Sequence, residues 1–180
     1  IDYIDLIIKR IFDFSISFIG IILISPLLII ISLAIKLNSD GPIFFKQERY
    51  GIYGKKFLIF KFRSMKVIES GNSPYLKQAT REDDRITFVG SFLRKWSLDE
   101  LPQLYSVITG EMSLIGPRPE RPEIDKTLIE EIPFYKFRNI IKPGLSGWAQ
   151  VNYPYGASIE DSKKKLSYDL YYLRNFSNWL

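Results

Sequence analysis

The chain contains neither histidine nor cysteine. Imidazole bases, thiol nucleophiles, disulfide frameworks and the usual nitrogen and sulfur zinc ligands are therefore excluded. Any chemistry must run on carboxylates, amines, hydroxyls, guanidinium groups or a hard cation bound through oxygen. Strong charge bias is also lacking: 25 Lys and Arg against 20 Asp and Glu leave a net charge of +5, with the basic residues dispersed among acids. That balance suits anionic substrates or an anionic membrane surface. It argues against a nucleic-acid partner, which calls for a clustered basic face. No internal repeat or low-complexity segment is present, and 180 residues suffice for one domain with a substantial core.

What is present begins with an apolar run. Phe14 to Ile35 carries no charge and reaches the roughly 20 residues needed to cross a bilayer. A signal peptide fits poorly, because Pro26 interrupts the centre and no small-residue cleavage site follows. Basic residues flank both ends, Lys9 and Arg10 before, Lys36, Lys46 and Arg49 after, so the charge asymmetry of a spanning helix is missing. Proline removes a donor and clashes with the preceding turn, and Ser25 beside it can bond a freed carbonyl. A re-entrant helix bent at Ser25-Pro26 accounts for the proline and the matched flanks together. A kinked transmembrane helix remains the alternative, and a buried core helix is the weakest option.

Asp40-Gly41-Pro42 closes this segment. Residues 43–46 and 56–62 read as short strands, with Gly51 to Gly54 turning a hairpin between them. Residues 69–80 are polar and broken by glycine and proline, as in a loop. Helical periodicity is expected over 88–95, over 98–108, and over 124–138 with an interruption at Pro133, whereas 142–155 is loop-like. Ser158 with Asp161 is a capping box opening a last helix, whose apolar stripe is Leu166, Leu170 and Leu173. Helices mixed with small strand pairs predict an α+β fold, and nothing supports a parallel βαβ array.

The segment WSLDELPQLYSVITGEMSLIGPRP, from Trp96 to Pro119, concentrates chemistry. Asp99 and Glu100 are adjacent carboxylates at an expected helix start. One can act as a nucleophile while its neighbour holds a divalent cation. Ser97-Leu98-Asp99-Glu100 also has the form of a capping box, in which Glu100 serves only the helix terminus. Arg118 lies between two prolines, which suits bidentate phosphate contact as well as a surface turn. Lys61 and Arg63 alternate with aromatics, as on a solvated strand face. Asp169 faces near the last helix's apolar stripe, where a carboxylate calls for a partner, foremost a salt bridge. Trp148, Tyr153 and Tyr155 suit core packing, base stacking or a headgroup level equally.

WSLDELPQL with GEMSLIGPRPE resembles the bacterial monotopic polyprenyl-phosphate phosphoglycosyl transferases, the bacterial sugar transferase family. The likeness extends through KRIFDF, the run broken at Ser25-Pro26, GPIFFKQERYG, FLIFKFRSM, DDRIT, VGSFLRK and KPGLSGWAQVNY. PRPERPE and WAQVNYPYGAS look closest to the catalytic part of the larger exopolysaccharide-type members, and the chain reads as a fragment of a longer protein.

The resemblance implies a re-entrant membrane segment over residues 1–40. Residues 41–180 would be the catalytic region of the same single domain, on the cytoplasmic face of the bacterial inner membrane. It implies Asp99 as nucleophile, Glu100 as ligand of Mg²⁺, and Lys61 in the active site. Arg118, Arg94, Arg49 and Arg85 match positions expected to contact substrate phosphate, and Asp169 would stand behind the site. The implied partners are a UDP-sugar, polyprenyl (undecaprenyl) phosphate and membrane lipid, with a homodimer allowed. The implied reaction moves a sugar-1-phosphate to the lipid through a covalent aspartyl intermediate, initiating exopolysaccharide, O-antigen, capsule or glycoprotein glycan assembly. A catalytically inert membrane scaffold that binds anionic lipid is the competing reading.

Overall fold

A computed structural model describes residues 3–66, 83–154, 156 and 158–176. The expected loop at 69–80 lies outside them, as does Tyr155. The fold is α+β, as the sequence predicts, with a long apolar helix first and two small two-stranded sheets.

Helix α1 runs from Tyr3 to Asn38 with Pro26 inside it. Pro26 removes the donor that would serve the Ile22 carbonyl, but a single missing bond does not end a helix. Ser25 and Pro26 thus lie inside one continuous helical assignment, in which proline can bend the path without ending the helix. At 1.5 Å per residue α1 is about 54 Å long, more than a hydrocarbon core of about 30 Å requires. Only 11% of its most apolar stretch is buried within the protein. Such an apolar surface needs a covering other than water.

The chain divides into two compact units, one built from Ile1–Ile22, Gln47–Ile59 and Gln103–Leu180, the other from Leu23–Lys46 and Phe60–Pro102. Strand β1 (Phe44–Tyr50) pairs with β2 (Lys56–Phe62), joined through a 3-10 turn at Ile52–Gly54. So short a connection requires an antiparallel hairpin, as predicted from the glycines.

In the second unit Ile31 and Ile35 of α1 pack with Phe62 and with Leu93 of α2 (Phe88–Lys95). Thr87 caps α2 by accepting from the Gly90 amide at 2.9 Å. Gly90 is required there, because a Cβ would sit 1.9 Å from the Ser64 carbonyl oxygen. Arg63 corrects the expectation of a solvated basic face. It is 5% exposed and donates to the carbonyls of Ser39 at 2.6 Å, Ile35 at 3.4 Å and Asp40. Two of these carbonyls lie just past the end of α1, and the Ile35 carbonyl also accepts from the Ser39 amide at 3.3 Å, so Arg63 ties down the chain where it leaves the helix.

In the first unit α3 (Leu104–Thr109) leads to β3 (Ser113–Ile115). Then come α4 (Pro122–Glu131) and a 3-10 segment at Tyr135–Ile140, followed by β4 (Gly144–Ser146), α5 (Trp148–Asn152) and α6 (Ile159–Arg174). Strands β3 and β4 pair in parallel, Ser113 opposite Gly144 and Ile115 opposite Ser146. Three residues per strand are too few for alternation to show, and β4 and the five-residue α5 both fall in the 142–155 stretch read as loop. Phe57, Ile59, Val107 and Met112 form one core cluster; Leu128, Ile132, Tyr135 and Leu166 form another. The capping box at Ser158 and Asp161 forms as predicted. The basic flank before the apolar run is not simply solvated. Arg10 donates to the Val107 and Ile108 carbonyls at 2.6 Å each, capping α3, while Asp13 accepts from the Leu114 amide at 3.1 Å.

Candidate active site

After α2 the chain turns sharply at Ser97, whose φ of 55° is left-handed. A capping residue needs extended backbone, so the capping-box reading fails here on geometry. The Ser97 amide instead donates to the Arg94 carbonyl, and its own carbonyl accepts from the Glu100 amide at 3.2 Å. Leu98–Gln103 then forms a 3-10 helix rather than the first turn of the predicted α-helix. Pro102 inside it lacks the donor that an α-helical start would need from its fourth residue on. Asp99 is thus the second residue of this 3-10 helix, directly after the turn at Ser97.

The Glu100 carboxylate is engaged by Lys61. Nζ of Lys61, from β2, lies 2.6 Å from Oε1 of Glu100, and both side chains are about four-fifths buried. Asp99 stands beside this ion pair, and burial pushes its carboxyl above the ordinary value. The Lys61 ammonium opposes that rise, the Glu100 charge adds to it, and Asp99's own amide and Arg94 pull it back. The outcome is a partly desolvated carboxylate whose charge is less stabilised than in water, with cations beside it that favour the ionised form.

The second unit therefore gathers Asp99, Glu100, Lys61 and Arg94. Arg85 belongs to the same unit and forms a fork with Asp83, at 2.8 Å through Nε and 2.6 Å through Nη2. That contact holds the Asp83 carboxyl well below the usual carboxylate range. An anion approaching Arg85 has to compete with Asp83. The remaining candidates, Arg118, Arg49 and Asp169, belong to the first unit. There Nη2 of Arg49 donates to the Gln47 side chain at 2.6 Å, and Arg118 is half-buried. Asp169 is buried against Arg138 at 2.9 Å, the salt bridge that its apolar surroundings called for.

Trp148 stacks on Tyr171 with ring centroids 6.1 Å apart, and the Tyr153 hydroxyl donates to Asp161 at 2.9 Å. Both aromatics are thus used within the fold. Arg138 was not singled out from the sequence. Its signal was present: an arginine amid the aromatic and aliphatic residues of FYKFRNII, in a chain with a buried carboxylate still wanting a partner.

The donor set bears on a cation. Among the described residues no cluster of three or more carboxylates exists. Magnesium is commonly held by one or two carboxylates plus substrate phosphates and water, so Glu100 beside a diphosphate fits this ion.

Comparison with known proteins bears on the same segment. The family described as bacterial sugar transferase matches residues 4–180. A UDP-glucose:undecaprenyl-phosphate glucose-1-phosphate transferase of Escherichia coli (strain K12) is 46% identical, over 95% of this chain and 37% of that protein. A UDP-N-acetylgalactosamine-undecaprenyl-phosphate N-acetylgalactosaminephosphotransferase of Aeromonas hydrophila is 45% identical, over 96% and 40%. An exopolysaccharide production protein of Rhizobium leguminosarum bv. phaseoli is 38% identical, over 96% and 88%. The chain spans about two fifths of the length of the first two relatives.

Proposed function

Because the chain belongs to the bacterial sugar transferase family, we propose that it is a phosphoglycosyl transferase moving a sugar-1-phosphate from a UDP-sugar to polyprenyl phosphate. The observation that carries this reading is Asp99, partly desolvated beside the Lys61–Glu100 ion pair, on the turn that bears the motif WSLDELPQL.

In the first step an Asp99 carboxylate oxygen attacks the sugar-linked phosphorus. The bond from that phosphorus to the bridging oxygen breaks, and the bridging oxygen leaves on UMP. In the second step a phosphate oxygen of the lipid attacks the same phosphorus. The acyl phosphate bond breaks, returning Asp99 as a carboxylate and giving a polyprenyl diphosphate sugar. Lys61 opposes the rise that burial imposes on the Asp99 carboxyl, and it pairs with Glu100. Mg²⁺ held by Glu100 and the diphosphate would neutralise charge on the phosphate oxygens. Arg94 beside Asp99 supplies further positive potential, and the placing of Arg118 between two prolines supports reading it as a phosphate contact.

A set of UDP-sugars, each incubated with and without polyprenyl phosphate, tests this. Without acceptor, the correct donor releases UMP equal in amount to enzyme and adds one sugar-phosphate to its intact mass. Release that strictly requires the lipid, with no mass gain at any time, sinks the two-step route.

The apolar surface of α1 supports membrane attachment, and a re-entrant path on the cytoplasmic face suits a donor made in the cytoplasm. The absence of cysteine makes topology directly measurable. Single variants Tyr3→Cys and Asn38→Cys should both resist an impermeant thiol reagent in intact spheroplasts and both react after lysis. Labelling of only one of them before lysis means that α1 crosses the bilayer.

A further inference from the structure

The guanidinium of Arg138, on the Tyr135–Ile140 segment, is buried with 5% of its side chain exposed. Its Nε lies 3.0 Å and its Nη2 2.9 Å from the same Asp169 oxygen, and Nη1 donates to the Tyr135 hydroxyl at 2.9 Å. Nη2 also donates to the backbone carbonyl of Arg118 at 2.8 Å. A buried ion pair is a poor source of net stability, because desolvating both charges offsets their attraction and a well-packed apolar pair does as well. What an apolar pair cannot provide is a donor aimed at that carbonyl.

The segment receiving it is held at three consecutive residues. The Gly116 amide donates to Ser146 at 2.9 Å, the Pro117 carbonyl accepts from the Gly144 amide at 2.9 Å, and the Arg118 carbonyl accepts from Arg138. Pro117 and Pro119 fix their own φ, and Pro119 restricts Arg118 to extended backbone. The backbone approach at Gly116 is close enough that a Cβ on Gly144 would lie 2.1 Å from the Gly116 nitrogen. Two of the three tethers come from backbone, and only the one on Arg118 itself depends on a side chain.

The geometry points to Arg138 as a positioning residue. Held by Asp169 and Tyr135, it sets the backbone that carries the Arg118 side chain. The inference rests on the reading of Arg118 as a phosphate contact. Bidentate recognition is demanding, and a displacement of about 1 Å costs on the order of 100-fold in rate.

A double-mutant cycle on the full chain in detergent or nanodiscs tests it, with kcat/KM for the donor and Tm read together. Arg118→Ala removes the side chain but keeps the carbonyl that Arg138 holds. Arg138→Lys retains charge but not the planar fork. Tyr135→Phe removes one contact without stranding a charge, and it carries the test if Arg138→Lys fails to fold. Each Arg138 or Tyr135 variant should lower kcat/KM, Arg138→Lys by about 10- to 100-fold. Each loss should vanish in the Arg118→Ala background.

Losses that multiply in the double variants, or folded variants with unchanged kcat/KM, overturn the assignment of Arg138 while leaving Arg118 as a phosphate contact. Unchanged kcat/KM in Arg118→Ala overturns the phosphate reading itself, and the positioning role with it.

Discussion

Asp99→Asn protein incubated with donor should release no UMP and gain no sugar-phosphate, while melting at the same temperature as the native protein or higher. The first half follows from nucleophilicity: a carboxamide matches the carboxylate in shape but has no anionic oxygen to offer phosphorus. The second half follows from burial. Desolvation raises the Asp99 carboxyl above its ordinary value, so its folded pKa exceeds its unfolded one. The ionised group therefore opposes folding above that pKa, and its cost disappears as pH falls through it. A neutral amide removes the cost at neutral pH. Native protein should thus gain relative to Asp99→Asn on acidification through this pKa. Intact mass, UMP release and thermal melts at several pH values check the whole statement. Residual turnover would end the nucleophile assignment, and a marked fall in Tm would make Asp99 a structural residue.

Lys61→Met should reduce kcat/KM by about 100- to 1,000-fold, the usual loss when one preorganised electrostatic group is removed from a reacting centre. A second signature separates this from simple damage. The Lys61 ammonium is the strongest influence holding the Asp99 carboxyl down. Without it that pKa rises further, so the acid limb of the kcat/KM profile moves to higher pH. Glu100 simultaneously loses its 2.6 Å contact with the ammonium, and its grip on a cation should change. The magnesium concentration giving half-maximal rate should shift as well. A pH profile superimposable on the native one would show that Lys61 does not act on Asp99.

Much of this was legible from residues close together in the chain. The Phe14 to Ile35 run announced α1, Ser158 with Asp161 announced the start of α6, and the glycines at 51 and 54 announced the hairpin. Each signal is local, because helix termini and turns are decided by a few adjacent backbone groups. The reading of Leu98 to Ile108 as one α-helix failed where two local constraints acted together: a left-handed Ser97 and Pro102 produce a 3-10 turn first. Arg63 was mistaken for a solvated residue because strand alternation tells which face a side chain takes, not which helix end waits there. The parallel β3–β4 pair was invisible for another reason: its partners are separated by α4 and by the Tyr135–Ile140 segment.

The sequence by itself determined that these 180 residues offer no imidazole or thiol, that they carry a helix fit for lipid, and that Asp99 and Glu100 stand side by side. Composition and adjacency are properties of the covalent chain, and no folding is needed to read them. Tertiary structure alone decided that Glu100 meets Lys61, that Asp99 is partly dried, and that Arg138 reaches the Arg118 carbonyl. Charge pairing, desolvation and hydrogen bonding act through space, over a few ångströms, between residues separated by 39 positions in one case and 20 in another.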